Sequence, residues 1–346
     1  MTITHNLALI GFGTVGQGLA EILLAKDDAL AARYGVRFQV VAVSDLLKGS
    51  LYHPDGLDLA VLLDVARRTG KLADYPAHAG LATGWDSLRT IRESNAGTVV
   101  EISWTDVQTG QPAIDHVRAA FESDKHVVLT NKGPVALAYR ELAGLAAARG
   151  VQFRFEGTVM SGTPTIRLAQ QALAGCEILE VKGILNGTTN YILTQMEAGQ
   201  SYADALAEAQ RLGYAEADPT ADVEGWDAAG KAVILANVLM GGDLGVAGVE
   251  RTGISALTLA DVQAATAAGE RWKLIARVWQ ENGLTKASVQ PTRLPLSHPL
   301  AGVSGAVNAC AFTTDLLGDV TLVGPGAGRM ETGYAVLGDL LDIAAR

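Results

Sequence analysis

The segment LALIGFGTVGQGLAEILLAK, Leu7–Lys26, decides the fold. An apolar run ends in Gly11, Gly13 and Gly16, spaced G-x-G-x-x-G, and an amphipathic helical pattern follows at once. Strand, glycine turn and helix in that order make a phosphate-binding turn. The first glycine permits a tight turn, the second lets a pyrophosphate approach backbone N–H groups, and the third lets helix lie close on strand. The helix N-terminus adds partial positive charge. The competing reading is a purely structural glycine turn; the strand before and the helix after favour a dinucleotide.

Outward from this segment, strand and helix patterns alternate. FQVVAVSD reads as a second strand, DLAVLLDVARRTG as a helix, GTVVEIS as a strand, PAIDHVRAAFESD as a helix and HVVLTN as a strand. YRELAGLAAARG and the short apolar run VQFRFEG continue the series. Alternation of this kind predicts a parallel sheet wrapped on both faces. Asp45, closing FQVVAVSD, is the candidate acid for an adenosine ribose, although it lies further from the glycines than the usual spacing of about 20 residues. A carboxylate there favours NAD. Lys48, close by, could instead serve a 2′-phosphate, so NADP stays open, and a plain turn or cap at Ser44 and Asp45 is the alternative to both.

From about Gly157 to Pro291 the pattern changes to glycine-rich turns, a strand around EILEVKGIL, and helices at ADALAEAQRLG and WDAAGKAVILANVLM, which predicts an α+β second domain. GYAEADPTADVEGWDAAGK, Gly213–Lys231, sets Glu216, Asp218, Asp222, Glu224 and Asp227 ahead of Lys231. A helix opening at Gly225 or Trp226 would put Asp227 and Lys231 on one face as i and i+4. Such a pair is often only a solvated ion pair. The alternative is a site where carboxylates hold a cationic substrate and the lysine trades a proton with a reacting oxygen. GILNGTTNYIL, Gly183–Leu193, suits a polar loop around a small molecule, with a capped tight turn as the other reading. Lys132, in TNKGPVAL, falls at the carboxyl end of a parallel strand, where ligands of open sheets bind.

Composition narrows the classes. The 346 residues suggest about two domains. A formal charge of −10 argues against nucleic acid. Two cysteines, Cys176 and Cys310, make neither a disulfide framework nor a zinc site, and neither has an evident histidine partner for nucleophilic chemistry. A reducing cytoplasm fits. The mean hydropathy of +0.20 prompts a search for spanning segments. The longest apolar stretch, AVILANVLMGG, falls short of the roughly 20 residues a span requires.

GFGTVGQG, LTNKGPVALAYREL, EGTVMSGTPTI, KGILNGTTNYIL, RLGYAEADPTADVEGWDAAGKAVILA and GPGAGRMETGYAVLGDLL, in that order, resemble the motif series of the homoserine dehydrogenases over nearly the whole chain. The resemblance implies NAD(P)-dependent interconversion of L-aspartate 4-semialdehyde and L-homoserine, on the route to threonine, isoleucine and methionine. It implies Lys231 as proton donor and acceptor, and Glu216, Asp227, Asp222 and Lys132 as substrate-binding residues. Gly11, Phe12, Gly13, Thr14, Val15, Gly16, Ser103, Lys132, Gly213, Gly326 and Gly328 match cofactor positions, alongside Asp45. Some members hold a structural sodium ion at positions matching Glu156, Val159, Ser161 and Thr163.

The implied fold is α/β: a Rossmann-type doubly wound parallel sheet, 1–140 plus 317–346, with an inserted α+β catalytic and dimerisation domain, 141–316. A homodimer is implied. The chain departs from the family pattern at Trp104, where proline is expected, at Met160 and Ser161, where glycines are usual, and at Gly230, where a stronger helix former is usual. The changes near Ser161 put the metal site in question. An ending at Arg346 leaves no regulatory ACT extension, so threonine inhibition through such a domain is not expected.

Overall fold

The computed structural model describes residues 2–104 and 106–345; Met1 and Arg346, the outer limits of the expected nucleotide domain, lie outside them. By contacts the chain divides into two compact units, Met1–Thr158 with Gly328–Arg346, and Val159–Ala327.

The first unit carries β1 (Ile3–Ile10), α1 (Thr14–Tyr34), β2 (Val36–Asp45), β3 (Gly49–Tyr52), α2 (Leu59–Arg68), β4 (Ala82–Thr83), α3 (Ser87–Glu93), β5 (Thr98–Glu101), α4 (Ala113–Glu122), β6 (His126–Leu129), α5 (Lys132–Arg149) and β7 (Phe153–Arg154). Its sheet runs β4-β3-β2-β1-β5-β6-β7. β1 pairs in parallel with both β2 and β5, and β6 with β5 and β7. Leu7–Ile10 is buried without alternation, as a strand covered on both faces must be. The strand order reverses at β1, so the topological switch point lies between β1 and β5.

Helix α1 is one continuous element that ends at Gly35, in the left-handed conformation at φ 68°. Its length accounts for the long interval between the glycines and Asp45. The C-terminal helix, Arg329–Ala344, lies against α1. The two backbones approach so closely that a Cβ on Gly18 would collide with the carbonyl of Arg329, and one on Gly333 would come within 2.9 Å of the Leu19 nitrogen. The antiparallel edge β3–β4 and helix α3 were not anticipated. They are short, and their sequences carry no sustained period.

The second unit carries α6 (Thr165–Arg167), β8 (Ile178–Ile184), α7 (Gly187–Glu197), α8 (Tyr202–Arg211), α9 (Thr220–Val223), α10 (Trp226–Leu239), β9 (Glu250–Arg251), α11 (Leu259–Ala267), β10 (Glu270–Glu281), β11 (Leu284–Pro295), β12 (Val307–Thr314) and β13 (Gly318–Pro325). Its sheet runs β13-β12-β8-β10-β11-β9. The β10–β11 hairpin turns through Asn282 and Gly283 with φ of 52° and 76°, the left-handed pair that a two-residue turn requires. Helix α10 packs on β10 and β11 and buries Ala228, Ala229 and the whole run Lys231–Ala236.

The expected limits at 140/141 and 316/317 differ from the contact division. Helix α5 and β7 stay with the first sheet, since β7 pairs on β6, while 318–325 forms β13 on β12 in the second. The expected polar loop GILNGTTNYIL is a correction. Asn186 is the N-cap of α7, its Oδ1 accepting from the Thr189 amide at 2.9 Å, so Gly187 onward is helical. The polar residues satisfy the helix terminus, as the capped-turn alternative had it. No helix among the described residues is long and apolar enough to cross a membrane.

Candidate active site

In the first unit, β1 delivers the chain to a turn built from backbone. Gly11 has φ 100°, and a Cβ there would lie 2.6 Å from the Ile102 carbonyl oxygen. Gly13 caps α1 without any side-chain hydrogen bond, and the first turn holds no acidic residue. The leading N–H groups of a long helix are thereby left for an anion. The turn is pinned from β2: Asp45 Oδ2 accepts from the Phe12 amide at 2.7 Å, and Oδ1 from the amides of Leu47 and Lys48 at 3.0 and 2.9 Å. Burial raises the Asp45 pKa, but these three amides outweigh it and hold the carboxyl below its ordinary range. Lys48 Nζ stands 3.8 Å from the same carboxylate. Such a turn fits a dinucleotide.

At the carboxyl end of β5, Ser103 donates its hydroxyl to the buried Glu101. Buried Asn131, the N-cap of α5, donates to the carbonyl of Trp104 at 3.1 Å and so ties the chain after β5 to the helix that starts at Lys132. Sequence reasoning selected Ser103 and Lys132 but missed Glu101 and its neighbour His116. The signal was an acid closing an otherwise apolar strand.

In the second unit, α10 brings Asp227 and Lys231 together as its i and i+4 positions. Lys231 is 7% exposed; its Nζ donates to Asp227 Oδ2 at 2.7 Å and to the Leu185 carbonyl at 2.6 Å. Asn186 donates to Asp222 Oδ1 at 2.6 Å and to Asp227 Oδ2 at 3.0 Å, bridging the two carboxylates. Burial first, then the nearby Asp227 charge, pushes the Asp222 pKa above the ordinary carboxylate range against the pull of Asn186, Lys231 and Thr188. This is no solvated surface pair. Asn186 is expected from the sequence as part of a polar loop or a capped turn; its reach to acids 36 and 41 positions on is not legible there.

Other selected residues sit apart. Glu216 is exposed, and its backbone carbonyl accepts from Gln210 Nε2 at 3.1 Å. Gly213, φ 78°, follows α8, and its neighbour Tyr214 offers its carbonyl to the Thr188 hydroxyl at 2.5 Å. Gly326 packs on Asn308, whose carboxamide a Cβ would strike; Gly328, φ 139°, begins the return of the chain to the first unit.

The proposed sodium positions fit poorly. The Thr163 carbonyl already accepts from the Thr165 amide at 2.7 Å and its hydroxyl at 3.1 Å, using both lone pairs. The Thr163 hydroxyl donates to the Pro325 carbonyl at 2.9 Å. Val159 is fully buried and Ser161 nearly so. Met160 and Ser161, where glycines are expected from the resemblance, hold φ of 58° and 53°. The loop keeps a glycine-type path at a cost of roughly 1–3 kcal/mol per residue.

The model of the homoserine dehydrogenase family matches residues 164–341. The chain belongs to the homoserine dehydrogenase family. The NAD(+)-dependent homoserine dehydrogenase of Pseudomonas canavaninivorans is 46% identical over 340 residues, 98% of this chain and 96% of its own. Homoserine dehydrogenase of Methanocaldococcus jannaschii is 43% identical over 98% of both chains. Among solved structures, a candidate homoserine dehydrogenase from Archaeoglobus fulgidus superposes with a TM-score of 0.88 at 39% identity, covering 98% of this chain and 99% of that one. A hyperthermophilic archaeal homoserine dehydrogenase in complex with NADPH superposes with 0.82 at 32% identity, covering 99% and 98%. Cys310 is fully buried, and that burial pushes its thiol pKa up.

Proposed function

We propose that this protein is an NAD(P)-dependent oxidoreductase that interconverts L-aspartate 4-semialdehyde and L-homoserine, with Lys231 as proton donor in reduction and acceptor in oxidation. The observation that carries the reading is the buried Lys231 ammonium. Two of its three N–H bonds are committed, to Leu185 and Asp227, and the third is left for a reacting oxygen. When bound, the nicotinamide supplies or takes the hydride at the aldehyde carbon. The Lys231 N–H meets the oxygen as negative charge grows on it and transfers the proton that completes the alcohol. Asp227, 2.7 Å away, keeps the lysine aimed. Asp222 and Asp227, held in register by Asn186, would take the substrate ammonium; Glu216 and Lys132 are assigned to the substrate by the family resemblance alone.

Phe12, Thr14, Val15 and the glycines of the first turn would hold the pyrophosphate, with Ser103, Gly213, Gly326 and Gly328 as further contacts. Asp45 supports NAD(H) over NADP(H): its ionised carboxylate would face a 2′-phosphate, and the nearest cation, Lys48, already attends it. A sodium ion has no part in this reading. A homodimer paired through the second unit's sheet, and residence in a reducing cytoplasm, complete the proposal.

The test is direct. Purified protein given L-aspartate 4-semialdehyde should consume NADH faster than NADPH, read by loss of nicotinamide absorbance. Consumption of neither would overturn the activity, and preference for NADPH would overturn the Asp45 argument alone.

A further inference from the structure

Glu101 closes β5 and has no exposed surface. Its Oε1 receives the Ser103 hydroxyl and lies 3.3 Å from His116 Nδ1 on α4. His116, itself buried, sets its Nε2 2.7 Å from the Ser87 hydroxyl on α3. A carboxylate only accepts, so the contact with Glu101 calls for an N–H on Nδ1. The other oxygen, Oε2, is buried and has no hydrogen-bond partner among the described residues.

A buried carboxylate with one oxygen unpaired is an expensive way to join β5, α4 and α3, since a well-packed apolar group commonly serves stability as well or better. Its position points to a different use. It stands at the carboxyl end of β5, beside the switch point, where open parallel sheets bind ligands. Ser103 has one O–H, and that O–H is spent on Glu101. The Ser103 oxygen can therefore only accept from anything else it meets. Asn131 secures the adjoining backbone through the Trp104 carbonyl.

We propose that Glu101 is a positioning residue for the cofactor, acting through Ser103, which it locks as a hydrogen-bond acceptor for a donor on the nicotinamide half of the dinucleotide. Donors of that kind are the carboxamide N–H and the adjoining ribose hydroxyls; a phosphate oxygen would find no donor there. The nicotinamide half is indicated because β5 lies on the opposite side of β1 from β2, which carries Asp45 and the adenosine side. The inference rests on the reading above that Ser103 contacts the cofactor.

The experiment measures NADH and AMP affinities of the wild type, Glu101→Gln, Ser103→Ala and the double variant by fluorescence and calorimetry, with thermal melts and KM and kcat alongside. A carboxamide in place of the carboxylate can donate to Ser103 and reverse its polarity. Loss of one good hydrogen bond predicts roughly fivefold to twentyfold weaker NADH binding by Ser103→Ala and roughly threefold to tenfold by Glu101→Gln. AMP, which lacks the nicotinamide half, should bind all four proteins alike, and KM for NADH should rise with kcat changed by less than about twofold.

The double variant should be no weaker than Ser103→Ala, because the second change acts through a group already gone. Multiplying losses, unchanged NADH affinity in Glu101→Gln, or equal losses for AMP and NADH would each overturn the proposal, the last by reducing Glu101 to a structural part. If Glu101→Gln does not fold, His116→Gln disturbs the same carboxylate while keeping it, and a loss for NADH without one for AMP is again required. Wild-type protein that binds no NADH would sink the cofactor reading itself; binding and turnover that persist unchanged in Glu101→Gln sink only the positioning role.

Discussion

The glycine turn of the first unit and the lysine cluster of the second handle charge in opposite ways. The turn presents only backbone to an anion: uncapped N–H groups, a φ of 100° at Gly11, and no room for a side chain there. Its one ionised side chain, Asp45, is saturated by three amides and braces the loop. The cluster is made of side chains that burial would disfavour singly. Lys231, Asp227 and Asp222 are tolerable there because Asn186 and the Leu185 carbonyl pair them. Backbone charge is fixed once the chain folds and cannot move a proton. Side-chain charge can, and it costs stability to keep. Binding and chemistry should therefore come apart on mutation.

The largest effect tests that separation at the cluster. Lys231→Ala should lower kcat by about 10²–10⁴-fold, the range for loss of a general acid, with NADH affinity in titration left within about twofold. A variant that keeps its rate assigns the proton to another group; one that loses NADH binding as well breaks the contrast. Next comes the turn. Gly11→Ala puts a Cβ 2.6 Å from the Ile102 oxygen at a φ that alanine avoids. NADH affinity should fall roughly 10–100-fold for strain of about 1–3 kcal/mol. Full affinity in that variant would show that the turn is not the anion site.

Asp222→Asn sharpens the claim that the cluster costs stability. Burial and Asp227 raise the Asp222 pKa in the folded protein. An acid held more tightly protonated by the fold adds stability below its unfolded pKa of about 3.9 and loses that contribution as pH rises through the folded value. At neutral pH the ionised group is thus a burden. The variant should melt higher than wild type at pH 7, with the advantage shrinking as pH falls into the carboxylate range, while kcat/KM drops roughly tenfold. A lower melting temperature at pH 7 would mean that the Asn186 bond outweighs the burial of charge.

The same contrast governs what could be read without the structure. The glycine turn lies within six consecutive residues, and each glycine has a local reason, so the motif, strand and helix were all legible together. The i and i+4 spacing of Asp227 and Lys231 was equally local. Asn186 reaches Asp222 and Asp227 only after α7, α9 and α10 have packed, and no period in the sequence carries that. Glu101 and His116 meet across two elements for the same reason. The edge strands β3 and β4, of four and two residues, are too short to show alternation. The GILNGTTNYIL segment left a polar loop and a capped turn both open because capping residues and ligand-binding loops draw on the same polar side chains.

The smallest effect isolates scaffold from site. Gly230 sits in the interior of α10, one residue before Lys231, and a Cβ there would meet nothing within 4 Å. Its φ is not positive, so nothing in the backbone calls for glycine. Gly230→Ala removes conformational freedom from the unfolded chain and should stabilise the protein by about 0.5–1 kcal/mol. For a unit of this size that corresponds to a rise of roughly 2–4 °C in Tm at the upper end. Lys231 keeps both of its hydrogen bonds, so kcat and KM should stay within about twofold. A stable variant with a damaged kcat would show that α10 must flex beside the lysine during turnover, and the buried ammonium would then be only one of the positions Lys231 takes up in the reaction.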